Sequence, residues 1–447
     1  MSSLNPQLIA QVRFLQRQAA SLLLYQSLLT DAIGQAFINL LVALEQESNA
    51  LDCLQAYGIF FQEQAANQQC WQDYLIAQIL RADNPFTQQA QQTDLKNLPS
   101  SLVAAAKSDL HCLQSLYQCS GEQLSQWIQQ LIPLSVAPVV WQPEPDRVEK
   151  IEELPLKSQF AKLENWGDII EELAAHYRQF GIGLFAKSQA FRWQNRELLG
   201  IFHPDPVHFS QLIGYESQRQ ILLQNTEFLL AGYAAQNVLL YGSRGSGKSS
   251  LIKALLHQYG DRGLRLIEVA KSDLQDLPIV IEQLRGSPHK FIIFVDDLSF
   301  EEDDDTFKAL KVVLEGNITA RPQNVVVYAT SNRRHLVREY FADRPQPREV
   351  DEVQAWDTVQ EKLSFSDRFG LTLTFEPPDQ QTYLKMVDHL AALAGIRLET
   401  QELEFRALQW ATRHNGRSGR SARQFVDFLT AELALFSVTS HRRDHES

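Results

Sequence analysis

Apolar residues in the first third of the chain recur at intervals of three and four positions. One such series is Leu29, Ile33, Phe37, Leu40 and Leu44. This spacing places apolar side chains on a single face of a helix. The helical pattern runs to about residue 130, with few charges and many glutamines. We therefore predict an all-α domain over residues 1–132.

Five prolines lie between Pro133 and Pro155, and a run of alternating charges accompanies them. Proline cannot continue a helix or donate a backbone hydrogen bond, so it is typical of connecting segments. We predict that residues 133–200 form a linker, or a strap that crosses the next domain.

Beyond residue 200 the pattern changes to short, continuous apolar runs separated by helical stretches. The runs cover residues 237–241, 264–269, 290–295, 324–329 and 371–375. Unbroken apolar character is typical of strands that are buried on both faces of a parallel sheet. The sequence therefore predicts an α/β domain over residues 201–376, with a parallel sheet flanked by helices.

The helical period returns in the last part of the chain. Tyr383, Val387 and Leu390 mark one helix, and Phe425 and Leu429 mark another. We predict that residues 377–447 form a small helical lid on the sheet domain.

Composition narrows the class of protein. The 447 residues are 44% hydrophobic and 21% charged, as in ordinary globular proteins, and no apolar run approaches the length of a membrane span. The first residues do not resemble a signal peptide, so we expect a cytoplasmic protein without a membrane partner. A net charge of -13 opposes broad binding to nucleic acid, although it leaves room for a local basic surface.

The most specific motif is Gly-Ser-Arg-Gly-Ser-Gly-Lys-Ser at residues 242–249, directly after the first apolar run. Glycines in such a loop allow the backbone N–H groups to surround phosphate oxygens, and the following helix directs its positive end at the same anion. Lys248 would contact the β- and γ-phosphates, and Ser249 would ligate Mg²⁺. The nucleotide-binding residues predicted here are Gly242, Ser243, Arg244, Gly245, Ser246, Gly247, Lys248, Ser249 and Ser250.

Polar residues follow two later apolar runs. Asp296 and Asp297 end the run at residues 290–295, and Asn332 follows the run at residues 324–329. We predict that Asp296 helps Ser249 to hold Mg²⁺, and that Asp297 is the base that polarises the attacking water. Asn332 would hold that water or touch the γ-phosphate.

The order of these parts resembles that of the AAA+ ATPases, over about residues 205–435. The resemblance implies a P-loop fold that uses ATP and Mg²⁺, with Walker A at residues 242–249, Walker B at residues 292–297 and sensor 1 at Asn332. It also implies an arginine finger at Arg368, which would act on a neighbouring subunit and therefore require a homo-oligomer. The other residues that it implies are Ile213, Gly214 and Tyr215 at the adenine, and Arg420 or Arg423 as sensor 2.

More narrowly, the amino-acid sequences of residues 296–301, 329–336 and 366–370 resemble those of a bacterial family of single-module AAA+ ATPases, known as domain of unknown function 815. Most AAA+ proteins have glutamate at the position of Asp297, whereas this family shares the aspartate pair. Since aspartate is shorter by one methylene, the base would stand farther from the water unless the backbone shifts. A small displacement can cost on the order of 100-fold in rate, so we expect slow hydrolysis.

The sequence is compatible with three functions. The first is a slow, nucleotide-controlled regulatory or remodelling ATPase, which acts on a protein client through the N-terminal helices. The second is a DNA-binding helper or loader of the replication or transposition type, motivated by a basic cluster after Asn332, although an intramolecular partner for that cluster is favoured. The cluster comprises Arg333, Arg334, His335, Arg338, Arg344 and Arg348. The third is an ATP-binding scaffold with little hydrolysis.

Overall fold

The computed structural model describes residues 6–45, 50–132, 134–143, 154–299, 310–311, 313–314, 322–332, 368–414 and 416–443. The chain divides into two compact units, Met1–Lys187 and Ser188–Ser447.

The first unit is helical, as the sequence predicted. Its helices are α1 (Pro6–Ala20), α2 (Ala32–Glu45), α3 (Ala50–Asn67), α4 (Trp71–Leu80), α5 (Pro85–Ala90), α6 (Ser100–Gln118), α7 (Gly121–Leu131), α8 (Leu154–Phe160), α9 (Ile170–Phe180) and α10 (Gly183–Lys187). The helix face anticipated in α2 is buried, because Ile33, Phe37, Leu40 and Leu44 are each at most 2% exposed. Phe37 stacks on Trp71 of α4 at a centroid distance of 3.9 Å, within the core of this unit.

The prediction of a linker or strap over residues 133–200 is wrong for most of that range. Trp166, Leu173 and Tyr177 are buried in the core of the first unit. Residues after 187 belong instead to the second unit, where they supply two strands. The burial of large apolar side chains is what makes these residues part of the two cores rather than a connection between them.

The second unit contains a seven-stranded sheet. Its strands are β1 (Ala190–Gln194), β2 (Glu197–Ile201), β3 (Val238–Gly242), β4 (Leu264–Val269), β5 (Lys290–Val295), β6 (Val325–Ser331) and β7 (Leu371–Phe375). The strand order is β2-β1-β4-β5-β6-β3-β7. The β1–β2 hairpin is antiparallel, and the other pairs of described strands are parallel.

Helices accompany this sheet along the chain. They are α11 (Glu216–Leu230), α12 (Lys248–Tyr259) and α13 (Leu277–Leu284). Apolar residues of α11 and α12, such as Leu222, Leu251 and Leu255, share one buried cluster with the strands. The described residues include no helix that is long and apolar enough to cross a membrane.

Three C-terminal helices form a smaller core of their own: α14 (Gln380–Leu393), α15 (Thr400–Arg413) and α16 (Gly419–Arg443). Asp379 caps α14, because its carboxylate accepts the backbone N–H of Thr382 at 2.7 Å. Tyr383 and Phe425 lie in the core of this small bundle. The observed class is therefore α/β with a helical N-terminal unit and C-terminal helices, as predicted from the sequence.

The register of the sheet determines which side chains meet. In the pairing of β5 with β6, Val295 lies opposite Ala329, and in that of β3 with β6, Leu240 lies opposite Thr330. The carboxyl ends of all three strands therefore lie at one edge of the sheet, where parallel α/β proteins bind their ligands.

Candidate functional site

The loop at residues 242–247 connects β3 to α12 and depends on glycine. Gly242 has φ +140°, and a Cβ at this position would overlap the carbonyl oxygen of Phe375 on the neighbouring strand β7. Gly247 has φ +88° and stands immediately before the first residue of α12. A side chain at either position would oppose the turn that brings the N-terminus of α12 back over the loop.

Lys248 is the first residue of α12 and is only 6% exposed. Its ammonium donates to the carbonyl oxygens of Gly242 at 3.1 Å and Ser243 at 2.8 Å. Burial lowers the pKa of Lys248, and the nearby Asp296 and Asp297 carboxylates oppose that shift. The loop therefore holds a buried cation beside its own backbone carbonyls.

Ser249 and Asp296 lie next to each other. The Ser249 hydroxyl donates to Asp296 Oδ1 at 2.6 Å, which joins the first turn of α12 to the end of β5. A hydroxyl and a carboxylate are hard oxygen donors, and Mg²⁺ prefers such ligands. These two residues therefore fit the metal role predicted for them.

Asp297 and Asn332 are also in contact, and both lie close to Lys248. The Asn332 amide donates through Nδ2 to Asp297 Oδ1 at 2.6 Å, while its Oδ1 accepts from Lys248 Nζ at 3.3 Å. Asp297 adopts a left-handed backbone conformation, with φ +51°. The carboxylate and the amide that the sequence singled out thus lie at one sheet edge with the lysine.

Thr330 was missed by the sequence-based reasoning. Its hydroxyl donates to Asp296 Oδ1 and accepts the backbone N–H of Asp297 at 3.0 Å. Alternation of side chains along a strand places Thr330 and Asn332 on the same face, but the contacts of Thr330 depend on the pairing of β6 with β5.

These residues line a cavity of about 710 Å³, within the second unit. Its size lies within the range of small-ligand sites. The predicted residues that line it are Arg244, Gly245, Ser246, Gly247, Lys248, Ser249, Ser250, Ile213, Tyr215, Asp296, Asp297, Asn332, Arg420 and Arg423. Three further predicted residues, Gly242, Ser243 and Gly214, are not among the lining residues. The sequence did not single out Asp205, Lys253 and Met386, which also line it.

The segment at residues 212–216 contributes Leu212, Ile213 and Tyr215 to the lining of the cavity. Gly214 has φ +99°, and a Cβ there would lie 2.7 Å from the Met386 side chain of α14. The Tyr215 hydroxyl donates to the carbonyl of Glu376 at 2.6 Å, and its ring lies 4.9 Å from that of Phe375. Glycine therefore allows the segment to approach the C-terminal helices closely.

The C-terminal helices reach the phosphate loop directly. The backbone N–H of Arg420, in the first turn of α16, donates to the carbonyl of Gly245 at 3.1 Å. Arg420 and Arg423 both line the cavity, so the geometry keeps both as candidates for sensor 2.

Two further predictions concern Arg368 and the basic cluster. Arg368 is not among the described residues that line the cavity. The basic cluster that follows Asn332 falls outside the described residues, as does residue 367 beside Arg368.

Comparison with known families found a match over most of the second unit. The family described as "Protein of unknown function (DUF815)" matches residues 186–433, which is more than half of the chain. These residues contain the whole sheet and the cavity described above. Comparison with curated proteins gave no match.

Solved structures of a Thermotoga maritima protein show a limited likeness. The RuvB Holliday junction branch migration motor is 16% identical with a TM-score of 0.36, and the match covers 52% of this chain and 67% of that one. For a point mutant of the same RuvB the values are 15%, 0.37, 52% and 68%. Likeness at this level carries no argument about function. The family match agrees with the resemblance of the sequence to that family, and the chain belongs to the DUF815 family.

Proposed function

We propose that this protein is a Mg²⁺-dependent ATPase that hydrolyses ATP slowly and uses its nucleotide state as a switch. One observation carries the proposal: a buried lysine, a serine–aspartate pair and an aspartate–asparagine pair meet at one edge of the sheet, beside a cavity of about 710 Å³. Phosphate binding, metal binding and water activation each need one of these groups.

The loop and α12 are suited to bind the triphosphate. Gly245 and Gly247, both at positive φ, leave space for phosphate oxygens to approach the backbone. The N–H groups at the start of α12 favour an anion. Lys248 adds a full positive charge, and its contacts to two loop carbonyls aim its ammonium at the phosphate position.

Ser249 and Asp296 are the residues that would hold Mg²⁺. When bound, the metal neutralises charge on the phosphate oxygens. The short contact between the two side chains keeps both oxygens at the same end of the loop.

Asp297 is the residue that would accept a hydrogen bond from the attacking water and draw its proton away. Asn332 would hold Asp297 on one side and Lys248 on the other, which keeps the base next to the phosphate position. The aspartate is one methylene shorter than the usual glutamate, so we infer slow turnover, suited to a switch rather than to a fast motor.

The bond between Arg420 and Gly245 supports a switch that moves α14–α16 against the sheet. A bound nucleotide would contact both the loop and the arginines of α16, and its hydrolysis would change those contacts. In this proposal the helical unit at residues 1–187 binds a protein client, and Arg368 acts on the nucleotide of a neighbouring copy. The DNA-binding alternative depends on the basic cluster, which falls outside the described residues.

Titration of the protein with a fluorescent ATP analogue tests the first step. Lys248→Ala should abolish binding. The control is Lys385→Ala, at an exposed position on α14 outside the cavity lining, which should bind like the unmodified protein. Equal affinity of Lys248→Ala and the unmodified protein would contradict the proposal.

A further inference from the structure

Thr330 occupies a fixed position beside the two aspartates of the site. It lies on β6, which is paired on one side with β5 and on the other with β3. Only 2% of its surface is exposed. A residue held by both neighbouring strands can serve as a rigid reference point for the loop that follows β5.

The Thr330 hydroxyl forms one hydrogen bond as a donor and one as an acceptor. It donates to Asp296 Oδ1 and accepts the N–H of Asp297 at 3.0 Å. A hydroxyl has one proton and two lone pairs, so both bonds can form together. The Thr330 carbonyl adds a third bond, because it accepts the N–H of Leu298 at 2.7 Å. Three successive residues after β5 are therefore bound to one residue of β6.

These bonds hold Asp297 in an uncommon conformation. Its φ of +51° lies in the left-handed region, which aspartate tolerates better than most residues but adopts rarely. Such conformations persist where surrounding contacts fix them, and they concentrate at functional sites. Here the turn directs the Asp297 carboxylate to Asn332 Nδ2 at 2.6 Å. The turn and this contact together fix the position of the Asp297 carboxylate.

Packing alone does not require a hydroxyl at position 330. The earlier residues of β6, Val325, Val326 and Val327, are buried apolar residues. Valine has the same branched shape as threonine and would fill the same volume. Burial of a hydroxyl instead costs free energy of desolvation unless the hydroxyl is hydrogen-bonded. The two hydrogen bonds of the Thr330 hydroxyl are both to the aspartate pair.

We propose that Thr330 is a positioning residue for hydrolysis, which holds the Asp296 carboxylate and the left-handed backbone of Asp297 in the arrangement that presents the base. The inference rests on the proposed ATPase function and adds a residue to it. In this proposal Thr330 acts through Asp296 and Asp297.

Two substitutions separate the hydroxyl from the shape of the side chain. Thr330→Val keeps the shape and removes both bonds, so kcat should fall on the order of 10- to 100-fold, while the Kd for ATP stays within about twofold. Thr330→Ser keeps the hydroxyl and should retain most of kcat. Thr226→Val is the matched control, since Thr226 is also fully buried and its hydroxyl bonds to Tyr328 and Leu222, away from the site.

A Thr330→Val variant that hydrolyses ATP like the unmodified protein would overturn the proposal. An equal loss in Thr330→Ser and Thr330→Val would also overturn it, because the hydroxyl would then not be the cause. Absence of turnover in the unmodified protein would contradict the proposed ATPase function instead. In that case crystal structures of both forms decide: we expect Asp297 to leave the left-handed region in Thr330→Val, and an unchanged Asp297 would overturn the positioning role.

Discussion

Lys248 Nζ donates to Asn332 Oδ1 at 3.3 Å, although 84 positions separate the two residues in the chain. Lys248 is fixed by the start of α12, and Asn332 follows β6, so the contact links the phosphate loop to the end of a different strand. The other end of the same amide binds Asp297. Asn332 therefore couples the group proposed to bind phosphate to the group proposed to activate water.

Replacement of Asn332 should slow hydrolysis without weakening nucleotide binding. Asn332→Ala removes the bonds to Lys248 and Asp297, so Asp297 loses its orienting partner. Loss of one preorganised polar contact typically costs on the order of 100-fold in kcat. Steady-state turnover and equilibrium binding, measured on the same preparation, show whether kcat falls while the Kd for ATP is unchanged. A large rise in the Kd for ATP at unchanged kcat would contradict it.

Gly242→Ala should prevent formation of the phosphate loop. The added Cβ would overlap the Phe375 carbonyl, and φ of +140° is unfavourable for alanine. Nucleotide binding should be lost, and thermal unfolding should show a lower Tm. Gly395→Ala is the control, because Gly395 also has positive φ but has open space around its Cβ position. That variant should lose about 1–2 kcal/mol of stability from backbone strain and bind nucleotide normally.

Nucleotide affinity should decrease in alkaline solution, and the decrease should begin below pH 10.5, the ordinary pKa of lysine. Burial lowers the pKa of Lys248 in the free protein, so its ammonium deprotonates earlier than an exposed lysine. The neutral form must take up a proton when it binds phosphate, and affinity therefore falls as pH rises through that pKa. Arginine stays protonated, so Lys248→Arg, if it binds nucleotide, should show no such decrease. Identical pH profiles for both forms would count against this assignment.

Trp166→Ala tests the assignment of residues 154–187 to the N-terminal helical unit. The indole is 1% exposed, lies 4.7 Å from the Phe160 ring and donates to the Phe160 carbonyl at 2.8 Å. Truncation of such a side chain typically costs about 3–5 kcal/mol. Chemical denaturation should show that loss in the transition of the helical unit. A change of less than about 0.5 kcal/mol, which is typical of exposed sites, would mean that the tryptophan is not part of this core.

The strands that were predicted from the sequence are those with continuous apolar character. Residues 264–269, 290–295 and 371–375 form strands over the predicted ranges. By contrast, β1 alternates Phe191 and Trp193 with polar residues, so it contains no unbroken apolar run that would predict a buried strand. Its hairpin turn uses Asn195 and Arg196 at positive φ, where glycine would have been the usual signal.

The candidate site residues that could be predicted from the sequence are those whose residue type and motif indicate a chemical role. Lys248 and Ser249 were identified from the glycine-rich motif, whereas Asp296, Asp297 and Asn332 were identified as polar residues that follow apolar runs. Thr330 was not, since a threonine inside a strand is typical β-sheet composition. Its role depends on the pairing of β6 with β5 and on the φ of Asp297, and neither property can be read from the sequence alone.

Turnover of Asp297→Asn tests the central claim most directly. Asparagine keeps the size of the side chain and removes the negative charge that would draw a proton from water. We predict that the variant binds ATP and Mg²⁺ with an affinity close to that of the unmodified protein, and that release of phosphate falls to background. Phosphate release at the unmodified rate by Asp297→Asn would contradict the account.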